Sequence, residues 1–148
     1  MGIRLGMDAK LYFDAAGVGG GSWAELDNVR DLTLNLETGE ADVTTRGNAG
    51  WRAIVATLKS GAVEWDMVWD TSDPAFSAIK DVYFNNTPIG FAIMDGDIAT
   101  AGSQGLQADF SITNFSRNEP LEEAITVSVS AKPTYSTTAP AWVTVPAP

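Results

Sequence analysis

The chain of 148 residues is long enough for one compact domain and too short for two ordinary ones, and its 45% apolar content can supply a hydrophobic core. The absence of cysteine and histidine excludes disulfides, zinc sites built from thiolate or imidazole, and Ser-His-Asp catalysis. With 19 acidic residues, 9 scattered basic ones and a formal charge of -10, tight binding to nucleic-acid phosphates is disfavoured.

Apolar and polar residues alternate in several segments, which predicts half-buried β-strands. In residues 30–37, Leu32, Leu34 and Leu36 share one face, and polar residues occupy the other. The same period recurs over residues 61–70, 105–114 and 124–132. Weaker strand candidates cover residues 9–13, 51–58 and 89–95, where apolar residues occur on both faces.

One segment instead predicts a short amphipathic helix of about three turns. Asp73 is a good N-cap and Pro74 suits the first helical position. Phe76, Ile79 and Tyr83 then follow at helical spacing. The residues before Pro88 are expected to end the helix, because a residue preceding proline avoids the helical conformation.

Two segments are expected to act as arms. The polar segment over residues 37–50 is longer than a hairpin turn needs, and long loops in compact domains are often interaction elements. The proline-rich residues 134–148 are typical of an extended arm. The beginning of the sequence has no apolar stretch of signal-peptide length, so synthesis in a host cytoplasm is expected.

The residue types leave two other readings open. Glu64 and Asp66 lie on one strand face, about 7 Å apart, and could form the carboxylate pair of a small glycoside hydrolase. The five tryptophans could instead belong to a carbohydrate-binding β-sandwich. Neither pattern is specific, because acids on a polar strand face are usually solvated and tryptophans on an apolar face usually pack in the core. No cofactor and no metal are expected.

The order of elements from Asn28 to Pro133 resembles the major tail tube proteins of long-tailed bacteriophages and related gene-transfer particles. The resemblance rests on an acid-flanked strand over residues 28–45, the Gly-Trp-Arg of residues 50–52, the aspartate-rich entry to the helix and the closing Lys132-Pro133. It implies a mainly β fold, an antiparallel β-sandwich or partial barrel with one flanking helix, forming a single domain over residues 1–148.

The resemblance also implies a function. It predicts a structural, non-enzymatic virion protein that forms a homo-oligomer of hexameric rings, stacked into a tail tube through which DNA passes during ejection. It implies tape-measure, tail terminator and baseplate or initiator proteins as partners, and no membrane.

A conduit for DNA needs a hydrophilic, mildly anionic wall that does not bind phosphates. The predicted lumen-lining residues are eight polar residues on three of the alternating strands: Glu64, Asp66, Asp109, Ser111, Thr113, Thr126, Ser128 and Ser130. The predicted inter-subunit contacts lie in the two arms and beside them: Glu37, Glu40, Asp42, Arg46, Asn48, Trp51 and Trp142.

Overall fold

The computed structural model describes residues 3, 5–18, 20 and 23–146. Residues 1, 2, 4, 19, 21, 22, 147 and 148, which belong to the predicted domain and its terminal arm, lie outside the described residues. The strands are β1 (Lys10–Asp14), β2 (Ala24–Glu25), β3 (Val29–Asp42), β4 (Ile54–Val68), β5 (Ile89–Met94), β6 (Gln104–Asn118), β7 (Thr126–Pro133) and β8 (Ala141–Thr144); the helix is α1 (Pro74–Asn85). The predicted fold class, mainly β with one helix, is confirmed.

All strands join one antiparallel sheet in the order β2-β1-β5-β6-β7-β4-β3, with β8 also pairing with β6. The long strand β6 organises this sheet, because its first half pairs with β5 and β8 and its second half pairs with β7. The sheet curls on itself. Trp65 of β4 meets Phe91 of β5 edge to face at 5.1 Å, although β6 and β7 separate the two strands in the sheet.

Helix α1 closes the core on the inner side of the curled sheet, and its predicted start and end are confirmed. The Asp73 carboxylate accepts a hydrogen bond of 3.0 Å from the N–H of Ala75, as expected of an N-cap. Asn86 ends the helix in the left-handed conformation, with φ of 54°. Phe76 is buried, and Tyr83 stacks on Phe115 of β6 with ring centroids 5.7 Å apart.

The structure differs from the predicted arm over residues 37–50. Residues 37–42 continue β3, and the two strands predicted over residues 51–58 and 61–70 are one strand, β4. The register runs from Leu32 opposite Trp65 to Asp42 opposite Ile54, so β3 and β4 form one long hairpin. The prediction missed this part because neither face of it is buried and no alternation marks it.

Burial along the apolar face of β3 differs from the prediction. Leu36 is predicted to join Leu32 and Leu34 in the core but is 55% exposed, because the pairing of β7 with β4 ends at Val63 and no further described strand pairs with the hairpin beyond it. Within the predicted extended arm over residues 134–148, Ala141–Thr144 forms β8 and pairs with the first half of β6.

Candidate lumen and assembly surfaces

A shallow polar hollow of about 390 Å³ lies on the face of the sheet opposite the core. Four of the predicted lumen residues meet in it: Glu64, Asp66, Ser128 and Ser130. Asp31 adds a third carboxylate to its lining, and no basic side chain of the described residues lines it. The hollow is therefore hydrophilic and anionic.

Cross-strand hydrogen bonds hold part of this surface in place. Asp66 of β4 lies directly opposite Ser128 of β7, and the Ser128 hydroxyl donates to the Asp66 carboxylate at 2.7 Å. The Thr113 hydroxyl donates to the backbone carbonyl of Ser130 at 3.3 Å. These bonds leave carboxylate lone pairs available to solvent, so the face stays wet.

Sequence reasoning missed three residues of the hollow: Asp31, Thr33 and Asn114. A β-bulge between Ile112 and Asn114 shifts the alternation of β6, so that Asn114 pairs with Ser130 and takes the place expected for Thr113. The signal was present in the sequence, because two polar residues in a row separate Ile112 from Phe115 where strict alternation allows one.

The other predicted lumen residues lie outside the hollow. Thr126 pairs with Val68 at the far end of the sheet, and Ser111 pairs with Lys132. Asp109 has a different role, because its carboxylate accepts a hydrogen bond of 2.7 Å from the N–H of Val18 and another from the Ser136 hydroxyl. It fastens two of the chain's own segments to β6.

Replacing this carboxylate should loosen both segments. Asp109→Ala is expected to lower the free energy of unfolding by about 2 kcal/mol, because hydrogen bonds to a charged group are lost. Amide exchange over residues 134–138 should accelerate, as hydrogen-exchange mass spectrometry would show. The matched control is Asp97→Ala, because the exposed Asp97 carboxylate accepts a hydrogen bond only from the nearby N–H of Ala99 among the described residues. Equal exchange at 134–138 in both variants would contradict this role.

The β3–β4 hairpin projects from the body of the protein, and we call its residues 36–61 the projecting ribbon. β4 pairs with β7 only over Val63–Val68, so within the described residues the ribbon is two-stranded. Each of its strands extends about 20 Å past the rest of the sheet. Trp51 is 78% exposed and Leu58 is 85% exposed, which is unusual for side chains of this size.

Six of the seven predicted inter-subunit residues lie on the ribbon: Glu37, Glu40, Asp42, Arg46, Asn48 and Trp51. The tip is ordered by Thr44, whose hydroxyl accepts from the N–H of Ala53 at 2.9 Å. Hydrogen bonding lowers the pKa of the Asp42 carboxyl; the Thr44 side chain has the larger effect and the Thr44 N–H the smaller one. This bonding therefore supports the tip at neutral pH and is lost as the pH falls through the lowered pKa.

The seventh residue, Trp142, lies on β8 and is 58% exposed. Its indole N–H donates to the Gln104 side chain at 3.1 Å, which fixes the ring against β6. Trp142 and the ribbon tip therefore lie on separate elements.

The polar face is bounded by two open strand edges. β3 is the last strand of the sheet, and within the described chain only β4 pairs with it. The pairing of β5 with β6 stops at Phe110, so residues 111–118 of β6 carry β7 on one side and no described strand on the other. Monomeric proteins usually protect edges of this length.

The sequence matches the model of the phage tail tube protein family over residues 5–134. The chain belongs to this family. No curated protein sequence matches this tail tube protein. In the part of the chain that the structure describes, no helix is long and apolar enough to cross a membrane.

Solved structures with the same fold come from tails and tail-like particles. The tail tube protein superposes on a chain from the tail of an empty gene transfer agent particle, refined with C6 symmetry, with a TM-score of 0.75 and 18% identity, covering 95% of this chain and 99% of that one. It superposes on a chain of the SPP1 tail tube with a TM-score of 0.68 and 19% identity, covering 88% of this chain and 75% of that one. Superposition on a chain of the anti-feeding prophage baseplate gives a TM-score of 0.60 with 6% identity, and it covers 98% of each of the two chains.

Proposed function

We propose that this tail tube protein assembles into hexameric rings that stack into a tube, and that the polar hollow faces a bore through which DNA passes. The observation that carries the proposal is an anionic hollow, lined by no described lysine or arginine, on a polar face that has an open strand edge on each side. The strands that one copy contributes to a tube wall need a hydrated inner face and an edge at each side that can pair with a neighbouring copy. The strands β3, β4, β7 and β6 meet both requirements.

The open edges are matched in direction. Strand directions alternate across β3, β4, β7 and the second half of β6, so β3 of one copy meets β6 of the next in the antiparallel sense. Such a contact joins two different surfaces and closes into a ring when the rotation between copies fits. The C6 symmetry of the gene transfer agent tail supports six copies.

Helix α1 takes the outer position in this ring. It packs on the core side of the sheet, through Phe76 and Ile79, which is the side opposite the hollow. The wall thus has an apolar layer between its inner strands and its outer helix. Catalysis has no place in this role, so the protein is proposed to be structural and not an enzyme.

The bore passes DNA because it repels phosphates weakly. Asp31, Glu64 and Asp66 repeat around the ring, and the field of these carboxylates acts over the roughly 8 to 10 Å that salt screening allows. No described lysine or arginine lines the hollow to hold a phosphate. DNA therefore passes without tight binding.

Contacts between rings are proposed for the projecting ribbon. An isolated two-stranded hairpin is marginally stable in water, and a second copy packed on Trp51 and Leu58 would both order the ribbon and cover these side chains. Tape-measure, terminator and baseplate or initiator proteins complete the proposed partners. The location is the virion tail after synthesis in the host cytoplasm.

A charge reversal in the bore tests this function. Glu64 is exposed, so Glu64→Lys should fold and assemble, and it places a ring of lysines in the hollow. At low salt, such tubes are expected to retain at least about ten times as much short duplex DNA as unsubstituted tubes do. They should release this DNA as the salt concentration rises. Co-sedimentation with labelled DNA measures this.

The control makes the same change of charge on the outside. Asp81 is exposed on α1, and Asp81→Lys is expected to retain less DNA than Glu64→Lys, with all of it open to nuclease. Equal, nuclease-sensitive retention by both variants would mean that Glu64 does not face an enclosed bore.

A further inference from the structure

An apolar groove of about 580 Å³, which we call the Trp142 groove, lies where the projecting ribbon leaves the body of the protein. Leu36 and Trp142, both more than half exposed, face it together with Pro133 and Pro140. The groove is preformed, because the hydrogen bond from Trp142 to Gln104 and the pairing of Trp142 with Leu106 fix its floor.

The charge around the groove differs from that of the whole protein. Lys59 and Lys132 line it, with Glu37 as the one carboxylate among the described lining residues, although the chain as a whole carries a formal charge of -10. Neither lysine has a salt bridge among the described residues. The groove therefore suits an apolar side chain that brings negative charges with it.

The turn between β6 and β7, residues 119–125, has these properties. Leu121 is 99% exposed, the most complete exposure of any large apolar side chain described. Glu119, Glu122 and Glu123 surround it in sequence, and among the described residues only Glu119 of these three has an ion pair, with Arg117 at 3.5 Å. We call these residues the Leu121 turn.

The groove and the Leu121 turn lie at opposite ends of the same strand. β7 begins at Thr126, beside the turn, and ends at Pro133, in the groove, which places them about 23 Å apart. They cannot meet within one copy. Two copies displaced along the strand direction bring the turn of one against the groove of the other, and repetition of this contact gives an open linear array.

We propose that the Leu121 turn of each copy seats in the Trp142 groove of the next copy along the tube. Leu121 packs between Leu36 and Trp142, and Glu122 and Glu123 approach Lys59 and Lys132. This inference rests on the proposed stacking of rings and names the two surfaces that meet. It assigns the groove to the turn, and not to the exposed Leu5 and Met7 of a neighbouring copy.

Cross-linking tests the contact, since the chain has no cysteine of its own. The double variant Ser60→Cys/Leu121→Cys, assembled and treated with a short bismaleimide, is expected to give a ladder of covalent multimers on a denaturing gel. The matched control, Phe84→Cys/Leu121→Cys, replaces the groove position by an exposed position on α1 and should give no ladder. The distance between groove and turn prevents linkage within one chain.

Three other outcomes would each overturn the proposed contact. Tubes that form without a ladder above the control overturn this contact and leave the proposed tube intact. A ladder from Ser60→Cys/Met7→Cys, with none from the first pair, assigns the groove to the neighbour's N-terminal segment and also overturns it. Unsubstituted protein that never forms rings or tubes contradicts the proposed function, and the contact with it.

A second measurement uses the side chain itself. Leu121→Asp should raise the concentration needed for tube formation by about tenfold or more, because burial of a leucine side chain is lost at every contact. Phe84→Asp, at a similarly exposed position on α1, should leave that concentration unchanged. Equal shifts in the two variants would show that added charge, and not the loss of Leu121, weakens assembly.

Discussion

Replacing residues 38–59 by Asn-Gly is expected to leave a folded protein that no longer forms tubes. Glu37 and Ser60 are directly opposite each other, so a two-residue turn can connect them in the existing register. Most of the removed residues are exposed, so the melting temperature should change little. Tube formation should be abolished, because the truncated chain lacks most of the surface proposed to join successive rings.

Electron microscopy and light scattering together measure this outcome. The unaltered chain at the same concentration and salt is the control for assembly, and thermal unfolding followed by circular dichroism is the control for folding. Truncated protein that builds tubes of ordinary length would show that the ribbon is dispensable. Isolated rings would locate the ribbon's role between rings, as proposed.

Phe110→Ala is expected to cause the largest loss of stability from a single substitution. The Phe110 side chain is fully buried on β6 and packs against Phe91, with ring centroids 5.6 Å apart. Its removal leaves a cavity beneath the point where β6 passes from β5 to β7, and should lower the free energy of unfolding by about 3 to 5 kcal/mol. The melting temperature should fall by roughly 10 °C.

The matched control for this change is Phe84→Ala. Phe84 is 70% exposed on α1, so the same substitution there should stay within about 0.5 kcal/mol of the parent protein. Denaturant unfolding of both variants gives the comparison. If the two substitutions were equally costly, Phe110 would not lie at the centre of the core.

The buried half of the fold could be predicted because its signals are local. The N-cap Asp73, the following Pro74 and the helical spacing of apolar residues define α1 within a few turns of chain. Alternation defines β7 and the end of β4 equally well, because one face of each is covered by the core.

The exposed half could not be predicted in the same way. In the projecting ribbon both faces meet solvent, so Thr38 or Glu40 carries no pattern that distinguishes strand from loop. The role of Asp109 depends on Val18, 91 residues away, which no spacing rule connects. The open edges of β3 and β6 follow from the order of the whole sheet.

Cryo-electron microscopy of assembled tubes tests the central claim most directly. The map should show six copies in each ring, with Glu64, Asp66 and Ser128 facing an open channel, β3 of each copy paired with β6 of the next, and α1 on the outside. A map in which α1 lines the channel, or in which the polar face points outward into bulk solvent, would contradict this account.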